Sequence, residues 1–175
     1  AEEMLEDGAE VRDYLEIAME ELERAAGIVT QLRDLAREPE PGKREPTDLN
    51  GLVEKALLLT RKRCKDRGVR VEWLPAPGSP PIPIVPGRIQ QVFLNLVLNA
   101  VEAMLEGGLL RVSTEPTDMP RGVRTRFADT GTGIEADRLA SIFEPFHSTR
   151  PEGLGLGLYI SKRIVEEHRG QIDVQ

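Results

Sequence analysis

Asn95 and Asn99 lie four residues apart within QQVFLNLVLNAVEAM, residues 90–104. The stretch is otherwise mostly apolar and holds no Gly or Pro, which predicts a helix buried over most of its circumference. Asn is a poor helix former, and its amide is costly to bury without hydrogen bonds. At ~100° per residue, Gln91, Asn95, Asn99 and Glu102 fall within an arc of roughly 80°. The polar residues therefore form one seam. Val92, Phe93, Leu96, Val97, Ala100, Val101 and Met104 are left to face a core. The seam must meet water, another polar element or a ligand. An amide oxygen is a hard, neutral donor suited to Mg²⁺, which prefers oxygen and keeps several waters. The alternative is that the two amides bond to each other or to a neighbouring loop.

Two glycine loops offer further chemistry. DTGTG (129–133) sets Asp129 at a strand end, followed by Gly131 and Gly133. Glycine admits φ > 0 and lets a flat ligand approach the backbone. Asp129 is placed to accept from an amino group such as the exocyclic NH₂ of adenine. An Asx-turn serving its own loop is the other reading. GLGLGL (153–158) opens into a helix. It lacks the Lys-Ser/Thr of a Walker loop, and Leu158 stands where a dinucleotide fingerprint has its third glycine. A glycine-rich turn at a helix start still offers unpaired N–H groups and the positive end of the dipole, a seat for phosphate. Leu154, Leu156 and Leu158 would anchor it, and a merely close-packed turn is the alternative.

Between the loops runs IFEPFHSTR (142–150). Phe143 and Phe146 read as apolar latches flanking a mobile loop, on which Thr149 and Arg150 would face phosphates after closure. His147 reads as an exposed loop histidine with nothing nearby to orient it. His168 falls in the last turn of a helix, where a cation suits the dipole, and reads as structural.

The elements that must position these groups follow from periodicity. Residues 9–37 predict one long helix, with Val11, Leu15, Ala18, Leu22, Ala25, Ala26, Val29, Leu32 and Leu35 recurring at threes and fours. Such a stripe needs a partner helix or a second copy. EPEPGKREP (38–46) reads as a linker. A helix is expected over 47–68, capped by Thr47 or Asp48 and ended by Gly68. VRVEWL (69–74) alternates as a strand does. A proline-rich connection follows, with a short extended piece at Ile82–Val85. Strands are expected at 109–115 and 123–129 as an antiparallel hairpin, then a short helix at 136–143, a helix at about 157–168, and a last strand at 170–174. The interleaving implies an α+β sandwich: a mixed sheet with helices on one face, preceded by one long helix.

Bulk properties narrow the function. The chain has 175 residues and a net charge of −7, which argues against a general nucleic-acid or anionic-membrane binder. Its one cysteine, Cys64, allows no internal disulfide and fits a reducing compartment. A plain structural role suits it, although the Lys/Arg-rich helix end around it could lower its pKa. No apolar run approaches the ~20 residues of a membrane span, and no secretory leader is visible. Any membrane attachment is expected from regions outside this chain, and a cytoplasmic domain is the expected setting.

In this order, NLVLNA, DTGTG, FEPF and GLGLGL resemble the N box, first glycine box, F box and second glycine box of sensor histidine kinases. These belong to the ATPase superfamily that includes DNA gyrase, mismatch-repair ATPases and heat-shock chaperone ATPases. The resemblance covers roughly residues 10–175 and implies the Bergerat fold. It implies ATP and Mg²⁺ as cofactors, held between the asparagine helix and the glycine loops under a lid. By similarity, Asn99 would bind Mg²⁺, Asp129 would hold the adenine amine, and Gly153, Gly155 and Gly157 would line the phosphates. Asn95, Gly131, Gly133, Thr149, Arg150, Leu154 and Leu156 complete the expected cofactor site. The implied partners are a second copy, through the N-terminal helical region, and a response-regulator receiver domain.

Three departures qualify the resemblance. In hydrolysing relatives the residue four before the metal asparagine is typically a glutamate that activates water. Here it is Asn95, which cannot act as a base, and this favours phosphoryl transfer to a protein. The 9–37 helix resembles the second helix of a dimerisation hairpin, so residues 1–37 would be a partial dimerisation region and 47–175 the ATP-binding domain. The helix with the phosphoacceptor histidine is not in the chain. The family's final strands beyond GQIDV are missing, and the lid between Phe146 and Gly153 is short. Two other readings compete: an ATP-binding sensing scaffold without turnover, and a serine kinase acting on an anti-sigma partner, against which the long helix argues.

Overall fold

The computed structural model of the chain describes residues 42–118, 121–147 and 154–174, together with Val11, Arg12, Tyr14, Leu15, Ala18, Met19, Leu22, Ala25 and Val29. The chain divides into two compact units, Ala1–Glu38 and Pro39–Gln175. In the first, the described residues are all helical. Val11, Leu15, Leu22 and Val29, members of the expected stripe, stand exposed. Leu32 and Leu35 of the expected stripe lie outside the described residues.

The second unit begins with strand β1, Glu45–Thr47. Helix α1, Leu49–Asp66, starts at Asp48, whose Oδ1 accepts from the N–H of Asn50 at 2.9 Å. Such a cap satisfies an N–H that has no partner inside the helix. Leu49, Val53, Ala56, Thr60 and Cys64 recur at threes and fours and form its buried face. Burial pushes the Cys64 thiol up, an effect that a hydrogen bond with Thr60 opposes only in part. This is the structural cysteine and not an activated one. Gly68 ends the turn after α1 with φ +66°, a backbone angle that side chains disfavour.

Strand β2 (Val69–Leu74), strand β3 (Ile82–Ile84) and helix α2 (Pro86–Ala103) follow. Pro86 suits the first turn of α2, where its missing N–H costs nothing. Strands β4 (Gly108–Asp118) and β5 (Arg121–Asp129) and helix α3 (Gly157–Glu167) complete the unit. One sheet has the order β2-β4-β5, with β2 parallel and β5 antiparallel to β4. The sheet is therefore mixed, as expected. Leu110, Val112 and Thr114 of β4 alternate inward and are buried. The opposite face carries the exposed cross-strand ion pairs Glu72–Arg111 and Glu115–Arg124. One face of the sheet is thus packed, which gives the two layers of an α+β sandwich.

Polar groups brace the layers. Thr114 donates to Asn50 Oδ1 at 2.7 Å and accepts from the N–H of Ala76 at 2.9 Å. Asn50 Nδ2 closes the ring by donating to the Ala76 carbonyl at 3.0 Å. Near the start of α2, His168 Nε2 accepts from the N–H of Val85 at 3.0 Å, while Nδ1 lies 2.6 Å from the Ile164 carbonyl. These bonds require the proton on Nδ1. His168 is therefore structural, as expected, and ties the end of α3 to the start of α2. Arg44 donates to the Glu167 carbonyl beside it.

Several expectations are corrected. Residues 45 and 46, expected within the linker, and Thr47, expected at the helix start, form β1 and pair antiparallel with β3. Residues 136–143 form successive turns in place of an α-helix, closed by bonds such as Ser141 N–H to Arg138 O at 2.9 Å. Residues 170–174 form no strand. The hairpin strands run further than expected, to Asp118 and from Arg121.

One core group is out of place. Gln90 is buried in α2, and among the described residues neither its Oε1 nor its Nε2 has a hydrogen-bond partner. A buried unpaired amide costs about 1–3 kcal/mol. Gln90→Met, similar in length and apolar, is expected to stabilise the fold by ~1 kcal/mol or more. Urea denaturation would read this as a raised midpoint at constant slope, and a lowered midpoint would mean the amide is satisfied after all.

Candidate functional site

The site is organised by one face of α2. Asn95, Asn99 and Ala103 are spaced by four residues and share an arc of ~80°. Each end of this row holds one of the glycine loops.

At the first end, Asn95 Nδ2 donates to Ser161 Oγ at 3.0 Å. Ser161 is 1% exposed and lies in α3. Gly157, the first residue of α3, lies against the same amide, and a Cβ there would collide with Asn95 Oδ1. Leu156, just before it, is fully buried and anchors the loop. Among the described residues no side chain caps α3, whose first-turn N–H groups have no partner within the helix. Gly155 has φ +65°, and a Cβ on it would fall 2.5–2.6 Å from the backbone of His147. The glycine loop is thus pressed onto the end of the FEPF segment. Leu154 is half-buried beside it. Gly153, Thr149 and Arg150 lie outside the described residues.

At the second end, the carbonyl of Ala103 accepts from the N–H of Thr132 at 3.2 Å. A Cβ on Gly131 would come within 2.7 Å of that carbonyl, so only glycine lets the loop lie on the helix end. Thr130 Oγ1 accepts from the N–H of Leu109 at 3.0 Å and fastens the loop to β4. Asp129 Oδ1 accepts from the N–H of Gly131 at 2.9 Å. This is the Asx-turn reading, realised by one of the two carboxylate oxygens. Asp129 is exposed. Gly133 closes the loop with φ +70°. Phe93 on α2 packs against Phe127 on β5, with ring centroids 5.6 Å apart, and so holds the strand end against the helix.

The FEPF segment differs from its expected behaviour. Phe143 is half-buried, with Lys162 Nζ 5.6 Å from its ring centroid. Phe146 is exposed and has φ +66°, an uncommon angle for a bulky residue. It is not latched into the core. His147 is exposed, as expected, but Glu144 Oε2 lies 3.2 Å from its Nε2 and orients it.

Ser161, Ala103, Thr130, Thr132 and Glu144 were not singled out from the sequence. Ser161 had a signal. It is a small polar residue on the apolar face of a helix, between Ile160 and Ile164, one turn after a glycine. Ala103 contributes through its backbone, which no side-chain pattern reveals.

A mixed sheet packed under helices, with two glycine loops hung from one asparagine-bearing helix, defines an ATPase-type α+β sandwich. Residues 84–175, more than half of the chain, match the family described as histidine kinase-, DNA gyrase B- and HSP90-like ATPase, and the chain belongs to this family. It is 34% identical over 167 residues to the sensor histidine kinase ZraS of Escherichia coli K12, covering 95% of this chain and 35% of that protein. The chain thus spans about a third of the length of this curated relative. Full-length ShkA in complex with AMPPNP superposes with a TM-score of 0.69 and 29% identity, over 80% of this chain and 31% of that one. Histidine kinase ThkA in complex with the response regulator TrrA gives a TM-score of 0.72 and 27% identity, over 90% of this chain and 44% of that one.

Proposed function

We propose that this chain is the ATP-binding catalytic part of a sensor histidine kinase. It transfers the γ-phosphoryl group of Mg·ATP to a histidine on a helix outside the chain, for onward transfer to a response-regulator aspartate. The observation that carries the reading is the row Asn95–Asn99–Ala103. The phosphate-type loop is docked at one end, the aspartate loop at the other, and Asn99 lies between them. Along the helix Asn99 is ~6 Å from either neighbour, at ~1.5 Å per residue. That distance suits a triphosphate running from one loop toward the other.

The residues fit the cofactor. Among the described residues no cluster of three or more His, Cys, Asp or Glu could cage a metal ion. A divalent ion here would take its oxygens from phosphates, waters and the Asn99 amide, which is the manner of Mg²⁺. When bound, it would neutralise charge on the triphosphate. Asp129 would accept from the adenine amine through Oδ2. The first N–H groups of α3 would face the phosphates. Asn95 supplies no base, so water is not activated, and the chain's part in catalysis is to position and to stabilise charge.

The whole protein would act as a dimer through the N-terminal helical region, where Leu15, Leu22 and Val29 are exposed. Its other partner would be a receiver domain, and its setting cytoplasmic. Among the described residues no helix is long and apolar enough to cross a membrane.

The test is to incubate the chain with radiolabelled Mg·ATP, alone and with a separate chain carrying an acceptor helix. No label is expected on this chain alone. His168 is engaged with Val85 and Ile164, and His147 sits on a loop with Glu144. Acid-labile label is expected on the added helix. ATP binding with no transfer to any acceptor helix, or to the full-length protein's own, would favour the scaffold reading.

A further inference from the structure

We propose that Asn95 is a positioning residue. Through Ser161 and Gly157, its amide clamps the phosphate-side loop at a fixed place relative to Asn99. The inference rests on the kinase reading above and assigns Asn95 a task other than touching the nucleotide.

Both ends of the amide are committed. Nδ2 donates to Ser161 Oγ at 3.0 Å, and Oδ1 fills the space over the Cα of Gly157. Gly157 and Ser161 are one helical turn apart in α3, so one side chain of α2 grips the first turn of α3 at two points. The bond is part-buried: Asn95 is half-buried, whereas Ser161 is 1% exposed and its neighbours Ile160 and Ile164 are buried. In such surroundings a hydrogen bond is stronger, and breaking it leaves a costly unpaired group. Leu156, fully buried, holds the loop from the core side. The loop is therefore fixed from behind by an apolar anchor and from α2 by an amide. Asn99 lies one turn further along α2, so the clamp sets the spacing between the phosphate-facing N–H groups and the metal-facing oxygen. A carboxylate at position 95 would lack the N–H donated to Ser161. The amide, which removes the base, also supplies the grip.

The aspartate loop is held independently, by Ala103 and Leu109. Losing the clamp should therefore affect phosphates and spare adenosine. The experiment is a double-mutant cycle of Asn95→Ala, Ser161→Ala and the pair. Dissociation constants for ATP and adenosine are read by calorimetry or NMR titration, with urea midpoints confirming folding. Each single variant is expected to weaken ATP by about five- to tenfold. The pair should be no weaker than the worse single variant, and adenosine affinity should not change. Gly157→Ala provides a second route. It should weaken ATP in the natural background and cost little once Asn95→Ala has opened the space.

Additive losses, or full ATP affinity in Ser161→Ala beside a loss in Asn95→Ala, would overturn the clamp and mark Asn95 as a direct ligand. Equal losses for ATP and adenosine would overturn it as well, since the effect would then be general. A natural chain that binds no ATP would remove the kinase reading and the clamp together, which separates that failure from the others.

Discussion

Replacing Asn99 by alanine is expected to weaken Mg·ATP binding by about 10–100-fold, the range seen when groups supporting a bound metal are lost. Binding of ATP in the presence of a chelator should change by less than ~3-fold, because the amide is assigned to the metal and not to the phosphates. The fold should survive. Asn99 is only half-buried, whereas the core face of α2 is carried by Ile89, Val92, Phe93, Val97 and Val101. Titration calorimetry with Mg²⁺ and with EDTA separates the two affinities. Equal losses under both conditions would remove the metal assignment and leave Asn99 as a packing residue of the seam.

Asp129→Asn should have an effect of similar size for a different reason. Asp129 Oδ1 accepts from the N–H of Gly131 at 2.9 Å. An asparagine can keep this bond with its amide oxygen, so the turn is preserved. Its NH₂ then occupies the place of Oδ2 and meets the adenine amine, donor against donor. One lost hydrogen bond and one unsatisfied donor cost about 1–3 kcal/mol, or roughly 5–150-fold in affinity. Discrimination against GTP should shrink as well. Competition binding of ATP and GTP to both proteins checks this, with thermal melting to show that the loop still folds. Unchanged ATP affinity would mean that Asp129 serves its own turn and nothing else.

Much of the architecture is written in local spacing. The period of α2, the alternation of β2, β4 and β5, the cap at Asp48 and the break at Gly68 each depend on residues within a few positions of one another. Such patterns read directly, because backbone geometry repeats every 3.6 or 2 residues. Elements without a pattern were missed. Glu-Pro-Thr of β1 is too short to alternate and looks like linker running into a helix start, and only its pairing with β3 makes it a strand. At 136–143 the composition allowed a helix, but the chain closes in successive turns and no α-helix propagates.

The sequence by itself determined that two amides share a seam, that glycines flank it, and that a carboxylate ends a strand, since all three follow from order and spacing along the chain. Only the tertiary structure decided what each group meets. Asn95 finds Ser161, 66 residues away, and Ala103 offers its carbonyl to Thr132. Asp129 turns Oδ1 to the N–H of Gly131 within its own loop. Hydrogen-bond partners at such separations are chosen by how α3 and the β5 end pack against α2. That packing is settled by buried apolar surface summed over the whole unit, which no local period records.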